Sequence, residues 1–190
     1  GGDFVLESGE MSIASLLAIG SEWLPPALKE WEPAGSMHFK IAVNKRPVSR
    51  TPLEIKLLAG FSDMTFHSPS FDKAAENLNL DAAMEWRMDG SGRRNQLPFS
   101  LELNITAGEM LWSSSFINWK DNPFALSCTG EWEADSKEMS VSSFLMKFPP
   151  VGSLTGNMSL LLRKKPEARL ALKAGNLDLP RLLEFYRLQK

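Results

Sequence analysis

The residue types that most often carry catalysis or bind metal are few in this chain and lie far apart. There are two histidines, His38 and His67, and one cysteine, Cys128. Neither histidine has a Cys, Asp or Glu at the spacing of a metal-binding motif, so both are predicted to be surface residues and no metal site is expected. Cys128 lies on the apolar alternation of its segment, which predicts a buried and inert thiol.

Carboxylates within one segment are the remaining candidates for acid–base chemistry. Glu131, Glu133 and Asp135 occupy alternate positions, which is more typical of the polar face of an amphipathic strand than of a catalytic pair. The sequence contains no phosphate-binding, dinucleotide-binding, serine-hydrolase or zinc-protease motif. We therefore expect a protein that is not an enzyme and that needs no cofactor.

Tryptophans offer one alternative binding chemistry, because exposed indole rings on a sheet can stack against sugars. The candidates are Trp86, Trp112, Trp119 and Trp132, and three of these four lie on the apolar alternation of their segments. That position favours a core or an apolar surface over a glycan site. A glycan-binding module is kept as the less favoured alternative.

Charge and composition argue against nucleic acid as the main partner and against a membrane-spanning helix. The 190 residues carry a net charge of −2, which argues against nucleic acid. Basic turns at 93–94 and 163–165 are predicted to be solvated, with lipid head groups as the alternative contact. The hydrophobic content of 43% is typical of a folded chain, and no run of about 18 apolar residues suggests a membrane-spanning helix.

A period of two dominates the chain from 36 to 174. Apolar and polar residues alternate in about eleven segments that are separated by short polar turns. Such alternation predicts an antiparallel meander with one apolar and one solvated face. Residues 1–35 are predicted to form a strand and short helices, and 175–190 a terminal helix.

This pattern raises the question of what covers the apolar face, because a sheet this wide must curl, split or be covered. The predicted helices are too few to cover it. The favoured fold is a large, curved antiparallel sheet with an open apolar groove and short helices near its two ends; a β-sandwich is the alternative. The groove is expected to be lined by Leu101, Leu103, Ile105, Leu126, Trp132, Met158, Leu160 and Leu162.

The two ends of the chain resemble each other. Residues 4–19 align without a gap with 170–185, and Gly175 minus Gly9 gives the offset of 166. In both copies a strand ends at a glycine and is followed by an N-cap residue. The chain is therefore interpreted as one segment, 1–190, of a larger repetitive β-rich domain.

The same repeat makes a prediction about the helices at the two ends. Each should pack against the apolar side of the sheet, the first through Leu16 and Leu17 and the second through Leu182 and Leu183.

The stretch Gly-Asn-Leu-Asp-Leu at 175–179, followed by two leucines, resembles the AsmA-like superfamily of Gram-negative bacteria. The strand–turn–strand stretches at 58–78 and 108–126 are similar to repeats of that family. The resemblance implies a long, curved sheet with a hydrophobic groove through which phospholipid acyl chains cross the periplasm between inner and outer membranes, or which supports outer-membrane assembly. It also implies anchoring in the inner membrane and no catalytic residue.

Two other expectations remain open beside lipid transfer. A structural or protein-interaction β-domain with a filled core would have the same strands without an accessible groove. Exposed sheet edges would also permit dimerisation by strand addition.

Overall fold

A computed structural model describes residues 2–20, 31, 33–45, 53–88, 96–113, 115–121, 123–149, 151–162, 166–178 and 180. These residues form eleven strands and the helix α1. In chain order the elements are β1 (Gly2–Glu7), β2 (Met11–Ser12), α1 (Ile13–Gly20), β3 (Ala34–Lys45), β4 (Leu53–His67), β5 (Lys73–Met88), β6 (Gln96–Trp112), β7 (Ser115–Asn118), β8 (Phe124–Glu133), β9 (Glu138–Phe148), β10 (Gly152–Leu161) and β11 (Glu167–Gly175).

All eleven strands belong to one antiparallel sheet. Nine of them follow the order β1-β3-β4-β5-β6-β8-β9-β10-β11, while β2 pairs with β3 and β7 pairs with β6. Within the described residues β1 and β11 do not pair with each other, so the sheet stays open. The prediction of a large, open antiparallel sheet is confirmed, and the alternative of a two-sheet sandwich is wrong.

The register divides the sheet into an apolar and a polar face, because directly paired residues of antiparallel strands lie on the same face. Two neighbouring rows of paired residues cross all nine strands of the main path. The first apolar row is Leu6, Ile41, Leu57, Met84, Leu101, Cys128, Phe144, Gly156 and Leu172. The second apolar row is Phe4, Val43, Ile55, Trp86, Phe99, Gly130, Val141, Met158 and Leu170.

The opposite face carries ion pairs within and between the neighbouring strands β4 and β5. Lys56 Nζ lies 3.6 Å from Glu54 Oε1 and 3.4 Å from Glu85 Oε2. Arg87 contacts the same two carboxylates, with its Nη2 2.6 Å from Glu85 Oε1. Hydrogen bonding and charge from Glu85 raise the pKa of Lys56. This face is therefore the solvated one that the alternation predicted.

At two glycines of the sheet, an aromatic ring from a neighbouring strand occupies the space where a side chain would lie. A Cβ on Gly130 would lie 2.8 Å from Phe99 Cζ, and one on Gly156 would lie 2.9 Å from Phe144 Cζ. Register shifts occur at both glycines. Bulges and glycines let strands bend sharply, so Gly130 and Gly156 are positions at which the sheet can bend.

Other bulges explain an error in the predicted strand boundaries. The alternation changes phase before Met64 and Phe66 and at 107–108, which predicts strand ends there, but β4 and β6 run through these positions without a break. Register shifts accompany Asp63 and Asn77, which have φ of 51° and 50°. A bulge adds one residue and moves the apolar phase by one position, which resembles a strand end in the sequence.

A small core occupies one end of the apolar face. Its centre is Ala75, Leu78 and Trp119, which are 1%, 4% and 7% exposed. Around this Trp119 cluster pack Met64, Phe66, Leu80, Ile105, Met110, Ile117 and Phe124. The Trp119 backbone N–H donates to the Gly108 carbonyl at 2.8 Å, which fastens the β7–β8 connection over β6.

The helix α1 lies against the start of the sheet. Ile13 is buried, Leu16 and Leu17 are half-buried, and the helix contacts β2 and β3. A helix near the N-terminal end was expected there. The predicted second helix, with Leu182 and Leu183, lies outside the described residues, as does the segment before 31 that was predicted to be helical.

Candidate functional site: an apolar trough

The apolar face of the sheet contains a trough with a volume of about 570 Å³. Six strands, β5, β6, β8, β9, β10 and β11, supply its walls and floor. The lining residues are Met84, Trp86, Phe99, Leu101, Leu126, Cys128, Trp132, Met139, Val141, Phe144, Met146, Leu154, Met158, Leu170 and Leu172. The lining contains no charged side chain.

The trough exists because the sheet curls. Six neighbouring strands laid flat would be about 24 Å wide at a spacing of about 4.8 Å. Yet Met84 on β5 and Leu170 on β11 line the same cavity. Along β8 the lining extends from Leu126 to Trp132, a span of about 20 Å at a rise of about 3.3 Å per residue.

Four of the eight residues predicted for the groove line the trough. These are Leu101, Leu126, Trp132 and Met158. Leu101 pairs with Cys128, which places β6 and β8 side by side in the floor. The structure therefore brings together half of the predicted set.

The other four predicted residues lie around the trough. Leu103 is on the same face, where it pairs with Leu126. Ile105 is further along β6 and packs in the Trp119 cluster. Leu160 pairs with the lining residue Met139. Leu162 follows the end of β10 and is 46% exposed.

Several lining residues were missing from the predicted set, although their alternation was visible in the sequence. Met84 and Trp86 come from β5, while Leu170 and Leu172 come from β11. Alternation identified these residues as apolar-facing. It gave no sign that β5 and β11 would approach each other, because that depends on the accumulated bend of all strands between them.

Cys128 is half-buried in the trough floor, whereas the alternation predicted a buried thiol. Burial raises the pKa of the Cys128 thiol, and a hydrogen bond with the Leu101 backbone partly opposes that shift. A raised pKa keeps the sulfur protonated near neutral pH, so the thiol behaves as part of the apolar lining.

The other chemistry-bearing residues are dispersed. His38 is exposed, with its ring over Gly60. His67 is half-buried rather than a surface residue, and its ring stacks on Phe71 at a centroid distance of 4.5 Å. Within the described part of the chain, no group of three or more His, Cys, Asp and Glu side chains could hold a metal ion.

The carboxylates that were considered for acid–base work lie away from the trough. Glu131 and Asp135 are exposed, and Glu133 accepts a hydrogen bond from the Ser136 hydroxyl at 2.9 Å. Glu131 and Glu133 alternate with the trough residue Trp132, which places them on the polar face.

Among the helices of the described residues, none combines the length and apolar character that crossing a membrane requires.

The tryptophans have different surroundings. Trp86 and Trp132 line the trough and Trp119 is buried in its cluster. The side chain of Trp112 is outside the described part. Sugar recognition combines stacking with hydrogen bonds to hydroxyl groups, and the trough lining offers no charged or amide side chain for that purpose. The surroundings of these tryptophans do not favour the glycan alternative.

Comparison with protein-family models, curated proteins and solved structures found no match to this chain. The likeness to AsmA-like proteins remains a prediction based on sequence patterns alone.

Proposed function

We propose that the trough binds lipid acyl chains without chemical change, and that the chain is a periplasmic segment of an AsmA-like protein. In that role it would carry phospholipid between the inner and outer membranes, or maintain the envelope, while anchored to the inner membrane. The observation that carries the proposal is an apolar trough of about 570 Å³ that no described element covers.

The size of the hydrophobic effect fits reversible binding. Burying one methylene group is worth about 0.8 kcal/mol, so twelve methylenes with about half of their surface covered gain about 5 kcal/mol. A gain of this size corresponds to dissociation constants near the millimolar to sub-millimolar range. Tails would be held out of water and still be able to move along the lining, which is what lipid transfer needs.

The polar face of the sheet would support lipid binding by keeping the side opposite the trough in water. Its ion pairs keep the outer side of the sheet in contact with water. Since the trough lining lacks charged partners, a lipid head group would remain in solvent while the tail occupies the trough. The proposal therefore concerns binding of the tail alone.

A direct test uses the tryptophans of the trough as reporters. Phospholipids or fatty acids with brominated acyl chains quench indole fluorescence on contact, so they should quench Trp86 and Trp132. Replacing both with Phe should remove most of the quenching. The unbrominated lipid serves as the reference for effects other than contact.

A matched pair of variants separates the trough from the rest of the sheet. Leu126→Asp places a charge in the lining, and Ser127→Asp places the same charge one residue away on the polar face. Binding should fall at least tenfold for Leu126→Asp and stay within twofold of the parent for Ser127→Asp. Equal effects of the two variants, or no quenching by any brominated chain, would contradict the proposal.

The proposed cellular role has a separate test. Native mass spectrometry of protein gently purified from its own envelope fraction should detect bound phospholipid. Recovery of the full protein only from the cytoplasmic fraction would contradict the periplasmic assignment, even if tail binding holds in vitro.

A further inference from the structure

Both edges of the sheet expose apolar side chains and backbone groups. No strand of the described chain pairs with the outer edge of β1 or of β11. Phe4, Leu6, Leu170 and Leu172 are 59%, 47%, 58% and 56% exposed. An edge of this kind is a template for strand addition, so the question is which strand fits it.

The register of the sheet makes the two edges match each other. The first apolar row ends at Leu6 on β1 and at Leu172 on β11, and the second ends at Phe4 and Leu170. Neighbours along the nine-strand path are all antiparallel, so the first and ninth strands run in the same direction. A parallel pairing of β1 with β11 of another copy would therefore continue both apolar rows without a break.

The charges on the polar face match in the same alignment. Asp3 and Glu7 are four residues apart on β1, and Arg169 and Lys173 are four residues apart on β11. Parallel pairing that joins the apolar rows places Asp3 opposite Arg169 and Glu7 opposite Lys173. Glu7 also contacts Lys40 of its own chain at 3.0 Å, with its side chain still 62% exposed.

Pairing of like edges produces the opposite charge pattern. Two copies of β1 in antiparallel register, with Phe4 opposite Leu6, would place Asp3 opposite Glu7. Two copies of β11, with Leu170 opposite Leu172, would place Arg169 opposite Lys173. Like charges directly across a strand pair are destabilising, so in the register that joins both apolar rows the charge pattern favours unlike edges.

We propose that copies of this chain associate head to tail, with β1 of one copy pairing in parallel with β11 of the next. A head-to-tail contact leaves a free edge at each end, so it produces an open array or a closed ring. The apolar face of one copy then continues into the next. This inference is independent of whether the trough binds lipid.

The contact is expected to be weak. β1 has six residues, and a strand pair of that length buries less than the area of about 1,200 Å² found in stable interfaces. Each exposed charge pair adds about two- to fivefold in affinity, and this part is screened by salt. Association should therefore appear at high protein concentration and low ionic strength.

Charge reversal tests the pairing. Sedimentation velocity over a range of concentrations should show that Asp3→Lys/Glu7→Lys and Arg169→Glu/Lys173→Glu each lower self-association at least tenfold. An equimolar mixture of the two variants should recover it, because each reversed edge then faces its complement. Glu102→Lys, an exposed reversal on the central strand β6, is the control and should have less than a twofold effect.

Cross-linking decides which edges meet. In a Cys128→Ser background, Phe4→Cys and Leu170→Cys chains should form a mixed product with a short bis-maleimide. Predominant cross-linking of either variant with itself would overturn the head-to-tail arrangement. A parent protein that stays monomeric at millimolar concentration and low salt would overturn the association altogether.

Discussion

Replacing Gly156 with Ala tests the curvature of the sheet directly. A Cβ at this position would overlap the carbonyl oxygen of Ala171 on β11 and lie 2.9 and 3.0 Å from Phe144 Cζ and Cε1. Phe144 is only 9% exposed, so its ring has little room to move. The substitution must displace a buried ring, an edge strand or both.

The expected cost follows from two opposing effects. Overpacking a well-filled site costs about 1–3 kcal/mol, while Ala stabilises by about 0.4–1 kcal/mol because the unfolded chain loses freedom. We expect the free energy of unfolding to fall by about 1–2 kcal/mol. For a chain of this size the melting temperature should drop by about 2–8 °C.

Thermal unfolding followed by near-ultraviolet circular dichroism measures this change. Gly9→Ala is the matched control, since a Cβ there would have no heavy atom within 4 Å, and its melting temperature should stay the same or rise slightly. Adding Phe144→Leu to Gly156→Ala should cost less than the sum of the two single changes, because the smaller side chain relieves the ring contact. A Gly156→Ala protein as stable as the Gly9→Ala protein would refute the steric account of the bend.

Two further predictions concern the trough and the two faces of the sheet. Alkylation of Cys128 by iodoacetamide requires the thiolate. Since burial raises the pKa of this thiol, the pH midpoint of the alkylation rate should be higher in the folded protein than in urea. An equal or lower midpoint would contradict the raised pKa. Urea titrations compare the two faces. Leu57→Ser, on the first apolar row, should lower the free energy of unfolding by about 1–2 kcal/mol. Leu58→Ser, at a position that is 48% exposed, should change the free energy of unfolding by less than about 0.5 kcal/mol.

The sequence predicted the faces of the sheet well because alternation is a local property. Leu101 and Leu126 could be assigned to the apolar face from their neighbours alone. Bulges were harder to predict from the sequence, since the added residue at Asp63 or Asn77 changes the phase of the alternation. About eleven segments were predicted between 36 and 174, where the described residues form nine strands, β3 to β11, because neighbouring segments merge in β4 and β6.

The sequence predicted that an apolar face exists, but it did not predict how that face curves into a trough. Which strands line one cavity depends on the accumulated bend of all strands between them, and alternation does not mark Gly130 or Gly156 as positions where the sheet can bend. The end of β10 also depends on its partner, since the last pair joins Leu161 to Glu167. Leu162 therefore follows the strand, although the alternation alone would extend through it.

The order of the strands also bears on how the sheet forms. Along the main path from β3 to β11, each strand pairs with the next one in the sequence, apart from the short β7 beside β6. Pairing between sequence neighbours closes only short loops, so hairpins can form early and add one at a time. β5 and β6 have 16 and 17 residues, and the hairpin that they form is the expected folding nucleus to which the other strands add. Unfolding of the sheet would then start at β1 and β11, which each pair with one strand of the main path, and proceed strand by strand toward the centre.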